Sequence, residues 1–230
     1  MILLAMKQFT EDQIREIYEN HVKLSPEYFT KYRFLPECPV RAWNYSWKGH
    51  DMSRNFIVLD FIEWIKKHNI EKGNNLAFTS SVDPELEFID YENSYYMKYP
   101  PCDLHEYIFQ LKDKFDFFIF NQTIDHLYNP FMAVENIYQY VKPGGYLFTS
   151  TSTINVPHMT PTHYNQYNPM GLAILMMSVG FEIVEVGQWG NYDYICKLFK
   201  EHKWPDAYEA SHENEEKNVV QSWILVRKPN

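Results

Sequence analysis

Phe115-Asp116-Phe117-Phe118-Ile119-Phe120-Asn121-Gln122 runs on into Thr123-Ile124-Asp125-His126-Leu127-Tyr128-Asn129-Pro130. After a helical pattern comes Val141-Lys142-Pro143-Gly144-Gly145-Tyr146-Leu147-Phe148-Thr149-Ser150. The first run is short, aromatic and uninterrupted, which predicts a strand buried on both faces. Asn129 suits a helix cap and Pro130 a first helical turn. Met132, Val134, Ile137, Tyr138 and Val141 then recur at helical spacing. Lys142 complements the negative end of that helix. Pro143-Gly144-Gly145 predicts a stop and a turn into a second buried strand. A strand, a helix and a strand in this order imply parallel strands and a right-handed crossover.

The rest of the chain supports one domain of α/β class. Its 230 residues are enough for a proper core, and 45% hydrophobic with 22% charged residues is ordinary globular composition. The 17% aromatic content fits an aromatic-rich core. A formal charge of -9 opposes a nucleic-acid partner, which wants a basic surface, and an anionic membrane surface for the same reason. Cys38, Cys102 and Cys196 form no CxxC pair and are odd in number, so free thiols in a reducing compartment are expected. Residues 1–6 are apolar but lack the basic start of a signal peptide, and no run reaches the length of a membrane span. A soluble, cytoplasmic protein is expected.

Upstream of the opening stretch, residues 9–24 have helical spacing, with Thr10 and Gln13 placed as a capping box. Ser25-Pro26-Glu27 starts a second short helix. Residues 41–47 are aromatic and irregular, either a packed connector or a lid. Residues 52–68 read as a helix capped by Asp51 or Ser53 and closed by Gly73. Leu76-Ala77-Phe78-Thr79-Ser80-Ser81 is the candidate first strand with its exit. Asp83-Pro84 opens a short helix, and the second strand is either Phe88-Ile89-Asp90 or Tyr95-Tyr96-Met97. Downstream, Asn168-Pro169 opens a helix that Gly180 ends. Residues 181–186 and 219–226 supply two late strands. The chain divides into an N-terminal helical extension or lid, residues 1–50, and a main domain, residues 51–230.

The ordered set of Phe115-Asp116, Asp125-His126-Leu127, Asn129-Pro130, Lys142-Pro143-Gly144-Gly145 and Gly180-Phe181-Glu182-Ile183-Val184 resembles class I S-adenosylmethionine (SAM)-dependent methyltransferases of type 11-like sequence. That resemblance implies a doubly wound, mostly parallel, seven-stranded Rossmann-like sheet with a C-terminal antiparallel hairpin. It implies SAM as cofactor and a small-molecule acceptor. One departure stands out: the family's glycine-rich first turn is missing. The only glycines before Phe115 are Gly49 and Gly73.

By the same resemblance, Thr79, Ser80 and Ser81 replace that turn under the cofactor. Asp90 or Glu92 would grip the ribose, since a carboxylate accepts two hydrogen bonds at once. Asp103 and Leu104 would meet the adenine, although Asp103 also reads as a helix cap. Asn121 and Gln122, with Thr123 beside them, would end the fourth strand near the methyl group, because ligands bind beyond the carboxyl ends of parallel strands.

The polar loop at residues 151–164 carries His158, His163 and Tyr164, which read as a general base for a hydroxyl acceptor or as a substrate-side cover. No third ligand is evident beside the two histidines, so no metal is expected. His126 alone reads as structural. A methyltransferase-like scaffold that has lost SAM binding is the alternative function. A nicotinamide dehydrogenase is weaker, because its glycine fingerprint is absent.

Overall fold

A computed structural model describes residues 7–159 and 161–230; the apolar residues 1–6 lie outside the described residues. Helix α1 (Glu11–Ile17) starts with the expected capping box: Thr10 accepts from the Gln13 N–H, and Gln13 accepts from the Thr10 N–H at 2.9 Å. A wider helical turn, Tyr18–Val22, extends it, and α2 (Pro26–Lys31) begins at its proline. Helix α3 (Met52–Lys67) is capped by Asp51, which accepts from the Ser53 N–H at 2.9 Å. Its end is set by Asn69 in the left-handed region at φ 54°, while Gly73, expected to close it, lies inside β1 (Lys72–Phe78).

Strand β2 (Asp90–Tyr96) follows a tight turn of helix at Pro84–Phe88. Then come β3 (Phe115–Asn121), α4 (Pro130–Tyr140) and β4 (Val141–Ser152). Asn129 caps α4 by accepting from the Met132 N–H at 3.2 Å, as its sequence predicts. The chain closes with α5 (Pro169–Ser178), β5 (Glu182–Trp189), α6 (Tyr192–Glu201) and β6 (Gln221–Arg227).

The sheet order is β2-β1-β3-β4-β6-β5. The first four strands run parallel, and β6 is antiparallel to both β4 and β5. Side chains alternate across a strand, so Phe118 and Phe120 of β3 face α4 and α5 while Phe117 and Ile119 face α3. Two buried layers on opposite faces of one sheet make the doubly wound α/β architecture.

The sheet has six strands among the described residues, not the expected seven. The missing strand is the third of the family pattern. Residues 97–108 turn instead of pairing, and Pro100-Pro101 removes two ladder donors there. The late strands pair antiparallel as expected, but α6 and residues 202–220 separate them, so they are no direct hairpin.

The N-terminal segment is tied into the core. Tyr28, Tyr32, Lys31 and Trp223 all donate to the fully buried Asp60 of α3. Residues 41–47 pack down as a connector: Trp47 is buried with its indole N–H on the Pro36 carbonyl at 2.7 Å, and Trp43 stacks on His50.

Candidate functional site at the carboxyl edge of the sheet

Strands β1, β3 and β4 end together, and their last residues build a polar shelf. The Thr79 and Thr123 hydroxyls lie 2.9 Å apart, joining the exits of β1 and β3. Gln122 donates to Ser150 Oγ at 3.0 Å and to Gln221 Oε1 at 3.1 Å. Ser150 in turn donates to Asn121 Oδ1 at 3.2 Å, leaving the buried Asn121 amide nitrogen without a protein partner.

Gln122 sits in the left-handed region at φ 44°. A non-glycine residue held there stores strain that the surrounding bonds must fix. Residues 79–83 show no positive φ, so the turn after β1 adopts its path without glycine. The positive φ at this edge falls instead at Gln122, after the neighbouring strand β3.

Behind this shelf lies a buried ionic cluster that sequence reasoning missed. Arg54, on the first turn of α3, donates to Glu85 Oε2 at 2.9 Å and lies 3.9 Å from Asp83 Oδ1. Its other guanidinium nitrogen reaches Ser150 Oγ at 3.5 Å. Glu85 is fully buried and the Asp83 side chain is 9% exposed. Burial first, and the Glu85 charge second, push the Asp83 carboxyl up to about 7, against the pull of Arg54 and a hydrogen bond from Ser80. Asp83 Oδ2 is buried and unpaired. The one signal in the sequence was Asp83-Pro84-Glu85, read only as a helix start; Asp83 makes no capping bond.

The expected ribose and adenine contacts fare differently. Asp90 is the first residue of β2, paired with Lys72 at the start of β1, so it lies at the sheet's opposite end from Thr79. Glu92 is exposed on the same edge strand. Strand β2 begins where one candidate strand ended, which moves both carboxylates away from the carboxyl edge. Ser81 is exposed, whereas Ser80 is half-buried beside Asp83. Asp103 accepts from the His105 N–H at 2.9 Å and pairs with its Nδ1 at 2.7 Å. Burial raises that carboxyl, but the two bonds from His105 outweigh it and hold it below the usual range. Leu104 is buried, and its carbonyl accepts from Asn136 at 2.8 Å. Asp103 thus serves as the turn cap that its sequence allowed.

The loop after β4 folds back over the helical turn Ile124–His126. The N–H groups of Tyr164 and Asn165 both donate to the Asp125 carbonyl, at 2.8 and 3.2 Å. This brings His158 and His163 to His126, with ring centroids 5.0 and 5.7 Å from it and 4.4 Å from each other. Asp125, His126 and His158 place ligand atoms within 4.8 Å of one another. The expectation that the two histidines lack a third partner is therefore corrected: the fold supplies Asp125 and His126 from the preceding strand exit. Burial first, then the neighbouring His158, pushes His163 below its ordinary value. Tyr164 is 51% exposed at the rim.

A parallel sheet whose ligand groups collect at its carboxyl edge, closed by an antiparallel pair, is the Rossmann-like fold of class I SAM-dependent methyltransferases. Residues 34–186 match a methyltransferase domain family, and the chain belongs to that family. The cofactor that goes with this fold is SAM.

Among solved structures, the [4+2]-cyclase SpnF is 13% identical, with a TM-score of 0.53 over 98% of this chain and 99% of its own. The 1,6-didemethyltoxoflavin-N1-methyltransferase of Burkholderia thailandensis, solved with its substrate and S-adenosylhomocysteine, is 12% identical, with a TM-score of 0.51 over 75% of this chain and 78% of that one. At these identities the likeness is one of fold. No curated protein matches the chain in sequence. Among the described residues, no helix is long and apolar enough to cross a membrane.

Proposed function

We propose that the protein transfers the methyl group of SAM to a small-molecule acceptor. The supporting observation is where most of its unpaired buried side-chain groups collect, Asn55 on α3 and Glu71 ahead of β1 being the exceptions. Asp83 Oδ2, Asn121 Nδ2, Asp125 Oδ1 and His163 Nε2 all lack a protein partner, and all follow the carboxyl ends of β1, β3 and β4. Each such group costs about 1–3 kcal/mol unless something bonds it. A polar ligand over this edge supplies those bonds. The acidic net charge keeps nucleic acid out of the reading and leaves a small acceptor.

The amino-acid end of SAM is a zwitterion, and the cluster behind the shelf carries both signs. In this reading Arg54 faces the α-carboxylate, and Asp83 with Glu85 faces the α-ammonium. Thr79, Ser80, Asn121 and Gln122 line the path to the sulfonium. Ser81, Asp103 and Leu104 form the outer wall, and Asp90 takes no part.

Methyl transfer is an in-line displacement at an activated sulfonium. The acceptor forms the new bond to carbon as the carbon–sulfur bond breaks and S-adenosylhomocysteine leaves. Holding the two reactants in line supplies most of the acceleration. An oxygen acceptor also loses a proton, and the loop offers a base. The His158 Nδ1 lies 3.3 Å from the Val156 carbonyl, which fixes its N–H there and leaves the Nε2 lone pair free. His163 is the reverse: its Nδ1 accepts from the His158 N–H at 3.3 Å, so Nε2 carries the proton and donates. In this reading His158 takes the proton, His163 holds the oxygen, and Tyr164 contacts the acceptor at the rim.

Calorimetry with S-adenosylhomocysteine tests the first half, with binding expected in the micromolar range. His158→Ala is expected to lower kcat by about 10²–10⁴ without weakening that binding. Absence of binding at millimolar ligand would leave the non-catalytic scaffold as the reading.

A further inference from the structure

The loop histidines and the turn after β3 carry a second inference, independent of the methyl donor. We propose that Asp125, His126 and His158 bind one divalent first-row transition metal ion, of the Zn²⁺ or Fe²⁺ class, with positions left open for an oxygen ligand.

Three observations meet here. The first is proximity: the three ligand atoms lie within 4.8 Å of one another. Three ligands at about 2.1 Å from one ion stand about 3.4 Å apart. Closure from the observed spacing is a movement that His158, on its loop, can supply.

The second is tautomer. The His126 Nδ1 lies 2.7 Å from the Thr162 carbonyl, and the His158 Nδ1 lies 3.3 Å from that of Val156. A carbonyl only accepts, so both rings carry their hydrogen on Nδ1 and offer a bare Nε2 to the cluster. A metal-binding histidine is held in this way, its far N–H donated to a carbonyl or carboxylate.

The third is an open valence. Asp125 is 2% exposed, its Oδ2 lies 4.0 Å from the His126 Nε2, and its Oδ1 is buried with no partner. A lone buried carboxylate oxygen is costly, and an ion satisfies it. Two imidazole nitrogens and one carboxylate oxygen suit the transition series; Mg²⁺ prefers an all-oxygen shell. His163 is not a fourth ligand in this geometry, because its Nδ1 is the acceptor and its Nε2 the donor. It is left to donate to a water or substrate oxygen on the ion. An ion here lies past the end of β3, on the side where the acceptor is placed. With it bound, His158 Nε2 is a ligand and no longer the base, and the ion as a Lewis acid acidifies an acceptor hydroxyl whose proton passes to solvent.

The test uses tag-free full-length protein, stripped with a chelator and dialysed, with no SAM present. Co²⁺ is titrated and followed by its visible absorption, and Zn²⁺ is titrated by calorimetry. One equivalent of Co²⁺ is expected, with a d–d band that Zn²⁺ abolishes and millimolar Mg²⁺ does not. His126→Ala and His158→Ala should each weaken binding at least 10-fold, while circular dichroism shows the fold retained. His21→Ala, at an exposed histidine far along the chain, should bind as the parent does. No band at millimolar Co²⁺ overturns the proposal. So does a band that survives the double variant His126→Ala/His158→Ala, or one that is lost in His21→Ala. Because S-adenosylhomocysteine binding is measured separately, failure of the metal site and failure of the methyl-transfer reading give different results.

Discussion

Asp83→Asn gives the sharpest handle on the cofactor reading, because the same carboxyl governs stability and binding in opposite ways. In the free protein Asp83 is held up at about 7, against an ordinary value of 3.8. Below pH 3.8 the group is protonated whether the chain is folded or not. Between 3.8 and 7 the unfolded chain gives up the proton while the folded one keeps it, so stability falls as pH rises, and it levels off above 7. The difference of about 3 units corresponds to at most about 4 kcal/mol at roughly 1.36 kcal/mol per unit. An amide at this position neither titrates nor repels Glu85. The variant should therefore be more stable than the parent at pH 7.5 by up to that amount, and should lose the slope between pH 4 and 7.

Binding runs the other way. A ligand ammonium against Asp83 needs the ionised carboxylate, so affinity for S-adenosylhomocysteine should fall about 10-fold per unit below pH 7. Calorimetry in buffers of different ionisation enthalpy should count close to one proton released at pH 6 and about half a proton at pH 7. Asp83→Asn should bind weakly and release none. Affinity that stays flat from pH 5.5 to 7.5, with no proton released, would refute the placement of the amino-acid end at this cluster.

Other outcomes follow from the packing. Asp60→Ala strands the hydroxyls of Tyr28 and Tyr32, the Trp223 indole N–H and Lys31, and should cost about 3–5 kcal/mol in denaturant melts. Gly190→Ala would set a Cβ 1.8 Å from the Asn218 carbonyl oxygen and 2.5 Å from the Val220 nitrogen. Backbone on both sides cannot step away, so a loss of at least about 1–3 kcal/mol is expected by thermal unfolding. Asn129→Ala removes the cap of α4 and should cost about 1 kcal/mol by urea titration, with Asn129→Ser close to neutral.

The fold was legible where local chemistry and burial agree. The uninterrupted run at residues 115–120 and the Asn129 cap each specify one local structure. Pro143-Gly144-Gly145, expected as a stop and a turn, instead lies inside β4 at a shift in its pairing with β3, with Gly144 at φ 76°, and Lys142 pairs with Asp116 rather than ending α4. The edge of the sheet was less legible. Strand β2 is exposed along most of its length, so it has no apolar face to betray its register. That is why the sequence points to the wrong end of the sheet for Asp90. The strand expected beyond it failed because Pro100-Pro101 offers no donors. Thr79, Asn121 and Gln122 lie at the ends of β1 and β3, because a buried strand fixes its own exit. Arg54 was hidden among the apolar positions of α3, and its partners come from another segment. His126 looked solitary for the same reason: its neighbours His158 and His163 lie on a loop that only the Asp125 carbonyl, through two backbone N–H groups, brings home.

Burial of charge alone does not mark the site, and the chain carries its own control. Asp60 and Asp83 are both removed from water, both raised by that burial, and both beside a cation. Yet each oxygen of Asp60 takes two donors, so Lys31, two tyrosines and a tryptophan use every lone pair that matters. Asp83 keeps one oxygen bare, and Arg54 is shared with Glu85. A structural ion cluster closes upon itself, whereas a binding cluster leaves valence for what it binds. The two substitutions should therefore move stability in opposite directions: Asp60→Ala down, Asp83→Asn up. If both fall by similar amounts, the cluster at Arg54 is a structural brace, and the cofactor's amino-acid end belongs elsewhere on the edge.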